Sequence, residues 1–324
     1  MHVPDGFINA ATSVGTGVVA AGGLGVSLRR AGRSLADRQI PLAGVTAALV
    51  FALQMLNFPV LPGVSGHLMG GALAAILLGP WMGAAVVSVV VIVQALFFAD
   101  GGISALGVNI LNIAIVTSLV AFPVFRGLVR VLPKTRVAAM VAAMFASLVS
   151  VLAAAFAFVA EYAVGGVGGA DIGAVLGAMT GVHSLIGIGE GLITSAALGT
   201  VLAVRPDLVA GLADVNLAGN HTVPTRRAVT AFVAAGLAVA VALVVFVAPN
   251  ASPDPDGLES VAAETGFAET AQDHPIGGPL ADYQVTGVDS ETWGTILAGV
   301  LGTTVAFAIG LGLVAMSRRR ASTR

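Results

Sequence analysis

Trp81-Met82-Gly83-Ala84-Ala85-Val86-Val87-Ser88-Val89-Val90-Val91-Ile92-Val93-Gln94-Ala95-Leu96-Phe97-Phe98 is an apolar run with no charged residue. Coiled as a helix at about 1.5 Å per residue, it covers most of the roughly 30 Å hydrocarbon core of a bilayer. Comparable segments lie near Ile8–Leu28, Pro41–Phe58, His67–Leu78, Leu106–Phe125, Val137–Ala160, His183–Val204, Ala228–Ala248 and Thr292–Met316. Lipid offers no partner for backbone N–H and C=O groups, so such segments cross as helices. The expected fold is an all-α polytopic membrane protein with about nine transmembrane helices. The His67–Leu78 segment is short and ends at Gly79-Pro80, which suits either a partial span or a kinked hairpin with the run that follows it.

Composition agrees. Hydrophobic residues make up 57% of the chain, charged residues only 10%, and the mean hydropathy is +0.96, which excludes an ordinary soluble domain. With no cysteine, neither a disulfide frame nor a thiolate metal site is available. The first Lys or Arg is Arg29, so the start lacks the basic region of a cleaved signal peptide.

The cations orient the chain. If the N-terminus is outside, the inner segments hold Arg29, Arg30, Arg33 and Arg38; Arg126, Arg130, Lys134 and Arg136; Arg205, Arg226 and Arg227; and Arg318, Arg319, Arg320 and Arg324. These are all fifteen Lys and Arg residues. The positive-inside rule then predicts an outside N-terminus, an inside C-terminus and an odd number of crossings.

On the outer face, Met1-His2-Val3-Pro4-Asp5-Gly6-Phe7-Ile8 carries a histidine second in the chain. The terminal amine, the His2 amide nitrogen and the His2 imidazole can close a five-membered and a six-membered ring on one metal. Taking the amide proton calls for a metal with a square-planar preference, so Ni²⁺ or Cu²⁺ suits the clamp best. Pro4 stiffens its exit and has no N–H to satisfy. One planar position stays open for a fourth nitrogen. His67 is the candidate: it is placed at the outer opening of the third segment, among Gly63, Gly66, Gly70 and Gly71, which permit close backbone approach. The plainer alternative is a histidine in an unstructured tail.

These stretches carry a family resemblance. The opening Met1–Phe7, Gly66-His67-Leu68-Met69-Gly70-Gly71, the stretch Gln94–Gly102 continuing to Gly107–Asn112, and His183–Glu190 resemble the CbiM/NikM family over about residues 1–205. That family is the substrate-binding membrane component of cobalt and nickel energy-coupling-factor transporters. The resemblance implies a square-planar four-nitrogen site formed by the Met1 amine, the His2 backbone nitrogen and the imidazoles of His2 and His67. The transported substrate would be Ni²⁺ or Co²⁺. Asp5, Asp100, Asn109, Asn112 and His183 are then expected as supporting or loop-positioning groups, since bound imidazoles commonly donate their other N–H to a carboxylate or carbonyl. For Asn109 and Asn112, plain interhelical hydrogen bonding is the alternative. His183 is placed at the outer end of the seventh span. Glu190, two turns along, suits either a structural hydrogen bond or an ion route.

Past residue 205 the character changes. A polar inner linker, 206–227, leads to a second unit over 228–324: two spans around an acidic outer loop, 249–291, without Lys or Arg. Pro255-Asp256-Gly257-Leu258-Glu259 and Gly278-Pro279-Leu280-Ala281-Asp282-Tyr283 resemble the PDGLE-type accessory N component of the same transporters over about residues 228–316, here fused to the M part. The acidic loop suits docking onto the M part better than a specific cation site. His274 lies in that loop, and His221 lies in the linker on the wrong face.

No Gly-x-x-x-x-Gly-Lys-Ser/Thr occurs, and Lys134 is the one lysine. No nucleotide is expected on this chain. ATP-driven transport would need partner ATP-binding (A/O) subunits and a transmembrane coupling (T/Q) component, which the resemblance implies. No nucleophile–base pair or carboxylate pair marks an enzyme, and nothing points to nucleic acid. The competing class is a stand-alone ion-coupled secondary transporter or channel, which calls for internal repeats and an ionisable pathway. The expected location is the plasma (inner) membrane of a prokaryote.

Overall fold

The computed structural model describes residues 1–34, 39–215, 226–277 and 280–322. Arg38, His221, Gly278, Pro279, Arg324 and residues 216–225 of the expected linker lie outside the described residues. Helix α1 (Ala10–Ser34) is followed by α2 (Gln39–Gln54), a hairpin of β1 (Phe58–Leu61) and β2 (Val64–Gly66), and α3 (Gly71–Leu78). Then come α4 (Pro80–Val93), α5 (Leu106–Asn109), α6 (Thr117–Val131), α7 (Arg136–Gly165) and α8 (Ile172–Val204). The C-terminal part holds α9 (Arg226–Phe246), α10 (Gly257–Thr265) and α11 (Glu291–Ser322).

Among the described residues, 7 helices are long and apolar enough to cross a membrane. They match seven of the nine expected segments. The other two differ for physical reasons. The second is α2, apolar over Ile40–Gln54 but only about 23 Å long, and it is flanked by α9 and α11. The third is a broken span. His67–Gly70 is non-helical and only Gly71–Leu78 is helix, with every residue of α3 buried. Together the two parts reach about 25 Å. His67 therefore precedes its helix by four residues and does not open it, contrary to expectation.

The break has a visible cause. Gly70 takes φ 82°, a left-handed conformation that ends helical geometry. The Met69 and Gly70 N–H groups donate to the Glu190 carboxylate at 2.7 and 3.3 Å, so the non-helical lead-in keeps its buried donors satisfied. The hairpin form expected for α3 and α4 is present. Gly79 turns the chain, Pro80 begins α4, and Gly83 approaches the Ala75 backbone closely.

Two π-helical stretches, Gln94–Phe98 and Ile110–Val116, extend α4 and link α5 to α6. Between them the chain turns at Ala99, at φ 55°, so the Asp100 loop hangs between two helix irregularities. Helix α8 starts at Ile172, where the Asp171 side chain accepts the Ala174 N–H. That is eleven residues before the expected start, so His183 lies about three turns inside the helix and not at its end. Gly173, Gly177 and Gly181 mask the apolar pattern there.

The helices alternate in direction. The N-terminal octapeptide, the β-hairpin, the Asp100 loop and residues 248–277 and 280–290 gather on one face. Arg29, Arg30, Arg126, Arg130, Lys134, Arg136, Arg205 and Arg227 belong to the other, where Arg30 lies 4.3 Å from the Trp81 ring centre and Arg126 pairs with Asp214. The acidic segment is not all loop: Asp256 and Glu259 form a capping box that starts α10.

Replacing Glu190 by Ala would leave two buried N–H groups without an acceptor, at about 1–3 kcal/mol each. Glu190→Ala is therefore expected to unfold at a lower temperature in detergent than wild type, with Glu190→Gln in between. Wild-type melting of Glu190→Ala would exclude this account of the break.

Candidate metal site

The N-terminal octapeptide is folded in. Met1 is 4% exposed, and Val3, Phe7 and Ile8 are buried with it. The Asn109 side chain holds Val3 twice, accepting from its N–H at 2.7 Å and donating to its carbonyl at 3.0 Å. The Gly102 N–H donates to the same carbonyl at 2.9 Å. Asp5 accepts from the N–H groups of Ile103 and Ser104 at 3.1 and 2.6 Å and from the Ser104 hydroxyl at 2.5 Å. This close approach requires Gly102, because a Cβ there would collide with the Asp5 backbone. Past it, the Val167 N–H donates to the Phe7 carbonyl at 2.9 Å, and the Phe7 ring meets Phe267 edge-on at 4.9 Å.

The Met1 amine lies 2.7 Å from His67 Nε2. A terminal ammonium only donates, so Nε2 is the bare nitrogen. His67 Nδ1 is 3.1 Å from the Leu68 carbonyl and places its proton there, which fixes the tautomer. Two nitrogens at right angles on one metal at about 2 Å stand about 2.8 Å apart, close to the spacing found here. His2 stacks on His67, with ring centres 5.0 Å apart and planes at 14°. Its Nδ1 lies 3.1 Å from Asp100 Oδ1, and its buried Nε2 has no partner among the described residues. A cavity of about 320 Å³ opens beside His2, His67, Asp100, Asp256 and Tyr283. Among the described residues no three His, Asp or Glu side chains converge on one point, so any nitrogen-rich site here must draw on the main chain.

The structure sorts the other expected groups. Asn109 and Asp5 position the octapeptide and the loop beside it, and Asp100 meets His2. Asn112 is elsewhere, donating to Glu161 on α7 at 2.6 Å, an interhelical bond. His183 is buried under α10 beside Gly257. Its Nδ1 meets the Met179 carbonyl at 3.0 Å, and its Nε2 is unpartnered among the described residues. His274 bonds locally to the Ile276 carbonyl.

Two residues not singled out from the sequence reach this site from the C-terminal unit. Asp256 Oδ2 lies 2.5 Å from the Met1 amine and 3.4 Å from His67 Nε2. The Tyr283 hydroxyl donates to Asp100 Oδ2 at 2.5 Å and accepts from Gln94 Nε2 at 3.0 Å. Burial, helped by the Asp100 charge, pushes the Tyr283 hydroxyl well above its ordinary range, so it stays a donor. Burial works to raise Asp256, but the Met1 ammonium beside it outweighs that and holds the carboxyl well below its usual range. The Asp256-x-x-Glu259 spacing signals a helix cap; nothing local signals a partner 255 residues away.

Fold and site define a multi-pass membrane protein with a buried, nitrogen-rich pocket built on its own N-terminus. The chain belongs to the CbiM family, described as the cobalt uptake substrate-specific transmembrane region, which matches residues 2–208, and it carries a PDGLE domain matching residues 230–319. A putative fused nickel transport protein NikMN of Archaeoglobus fulgidus is 35% identical over 98% of this chain and 99% of its own length. The cobalt transport protein CbiM of Geobacter sulfurreducens is 30% identical over 71% of this chain and 67% of its own. A crystal structure of a truncated transition metal transporter superposes with a TM-score of 0.56 at 26% identity, covering 63% of this chain and 99% of that one. The relatives are prokaryotic transport proteins.

Burial lowers the His2 pKa from 6.5 to about 4, against the pull of Asp100. An unfolded head would take up a proton near pH 6.5, so the unfolded state binds more protons between pH 6.5 and 4, and the folded head loses stability as pH falls through that window. In metal-free protein, hydrogen-exchange protection of the Val3 amide, corrected for intrinsic rate, is expected to drop from pH 6.5 to 4. The drop should shrink in His2→Gln. A flat profile in wild type would contradict it.

Proposed function

We propose that this chain is the metal-capture subunit of an energy-coupling-factor importer for nickel or cobalt ions. Its N-terminal face would lie outward and its basic face inward. The ion would be taken from outside by the Met1 amine, the His2 amide nitrogen, the His2 imidazole and His67 Nε2. The observation that carries this reading is the Met1 amine at 2.7 Å from a His67 nitrogen whose proton is committed elsewhere. The His2 imidazole would complete the plane by leaving Asp100. Residues 1–205 would form the capture domain and 228–324 an accessory domain. ATP hydrolysis would belong to partner ATP-binding subunits acting through a transmembrane coupling component. Relatives named for nickel and cobalt transport support the substrate class. Glu190 spends its carboxylate on Met69 and Gly70, which weakens the reading as an ion-coupled carrier acting alone.

The test is calorimetric titration of the full chain with Ni²⁺ and Co²⁺. An added residue ahead of Met1, or His67→Ala, is expected to remove tight binding. Wild-type affinity is expected to fall from pH 8 to 6, because amine, amide and imidazoles bind metal only when deprotonated. Undiminished binding by the extended chain would rule out the amine as a ligand.

A further inference from the structure

We propose that Asp256, in the C-terminal unit, is a positioning residue of the metal site, so that the PDGLE segment completes a pocket whose nitrogens all come from the N-terminal unit. This rests on the four-nitrogen reading above.

The two oxygens of Asp256 have separate work. Oδ1 accepts the N–H groups of Leu258 and Glu259 at 2.8 and 2.9 Å, capping α10. Oδ2 is left free and takes the Met1 amine at 2.5 Å. The carboxylate is aimed by more than its own helix. The Ser65 N–H of β2 donates to the Pro255 carbonyl at 2.9 Å, and the Ser65 hydroxyl donates to the Asp254 carbonyl at 2.7 Å. The PDGLE segment is thereby fastened beside the strand that leads into His67, and amine, imidazole and carboxylate are held in one frame.

The chemistry favours retaining that contact when metal is bound. A coordinated amine loses one proton and its lone pair to the metal but keeps two N–H groups, one of which can still donate to Oδ2. A divalent ion with one deprotonated amide carries one net positive charge in a buried pocket, which a neighbouring carboxylate offsets. Asp256 thus fixes where the amine lone pair points without itself being a ligand. Contacts of this kind to metal-binding groups commonly change affinity by about 10–100-fold.

The test uses the full chain in detergent with Ni²⁺ as probe. Asp256→Ser and Asp256→Asn both keep a good helix cap but remove the charge from the amine. Both are expected to lose about 10–100-fold in affinity, with the visible absorption bands of the nickel-saturated protein unchanged. Glu259→Ala, which breaks the other half of the capping box and leaves the amine contact intact, is expected to keep wild-type affinity. Wild-type affinity in both Asp256 variants would reduce Asp256 to a helix cap and overturn the proposal. An equal loss in Glu259→Ala would assign the effect to docking of α10 and also overturn it. Shifted absorption bands would make Asp256 a ligand, again overturning the positioning role. Failure of the parent reading is separate: it shows as tight binding by the N-terminally extended chain.

Discussion

A charged amine buried inside a protein must find hydrogen-bond acceptors there, and the folded head depends on meeting that demand for Met1. The ammonium is out of water and has two acceptors, His67 Nε2 and Asp256 Oδ2. Without them, burial would cost several kcal/mol. Each acceptor is brought in by different means. His67 sits on the non-helical lead-in to α3, whose buried Met69 and Gly70 N–H groups are satisfied by Glu190. Asp256 sits at the start of α10, which begins there because the capping box makes it begin.

The second histidine of the pocket is held by a longer chain of contacts. His2 faces Asp100, Asp100 accepts from Tyr283, and Tyr283 also takes the Gln94 amide. Gln94 opens the π-helical stretch that ends α4. The Tyr283 ring packs against Phe98 and Phe51, at 5.0 and 6.2 Å, and so joins the C-terminal unit to α4 and α2. Each histidine thus has a contact that leads to the C-terminal unit, one through Asp256 and one through Tyr283. Both contacts involve carboxylates, which suit the ammonium held in the pocket and would also suit the cation of the proposed site.

The membrane character was legible because it is written in runs: the segment 81–98 can hardly be anything but a buried or lipid-facing helix. The His2 candidate was legible because its chelate rings join positions adjacent in sequence, and the His67 candidate because the charge pattern put it on the same face as the N-terminus. What escaped was non-local. Residues 67–70 read as the start of a helix because the acceptor that satisfies them outside one, Glu190, lies 120 residues further on. The first turns of α8 were missed because glycine every fourth residue dilutes hydropathy without preventing a helix in an apolar setting. Asp256 stands in the stretch that carries the PDGLE resemblance, within an acidic segment, and nothing near it in sequence points to the Met1 amine. Its spacing to Glu259 spelled a cap, but a cap uses one oxygen, and the sequence does not say where the other points.

That spare oxygen bears on why an accessory unit would sit on a site whose nitrogens all come from elsewhere. A terminal amine has no backbone before it and is anchored from one side only, so its lone pair is poorly directed unless something outside the chelate holds it. In the proposed site His67 would supply a second nitrogen but would not orient the first, because a metal placed between them would replace their hydrogen bond. Asp256 would, since it contacts a proton of the amine and not its lone pair. A group that survives metal entry can align the ligand both before and after binding, which His67 alone cannot do. The fusion keeps that carboxylate at constant proximity, with no association step between the amine and the residue that aims it.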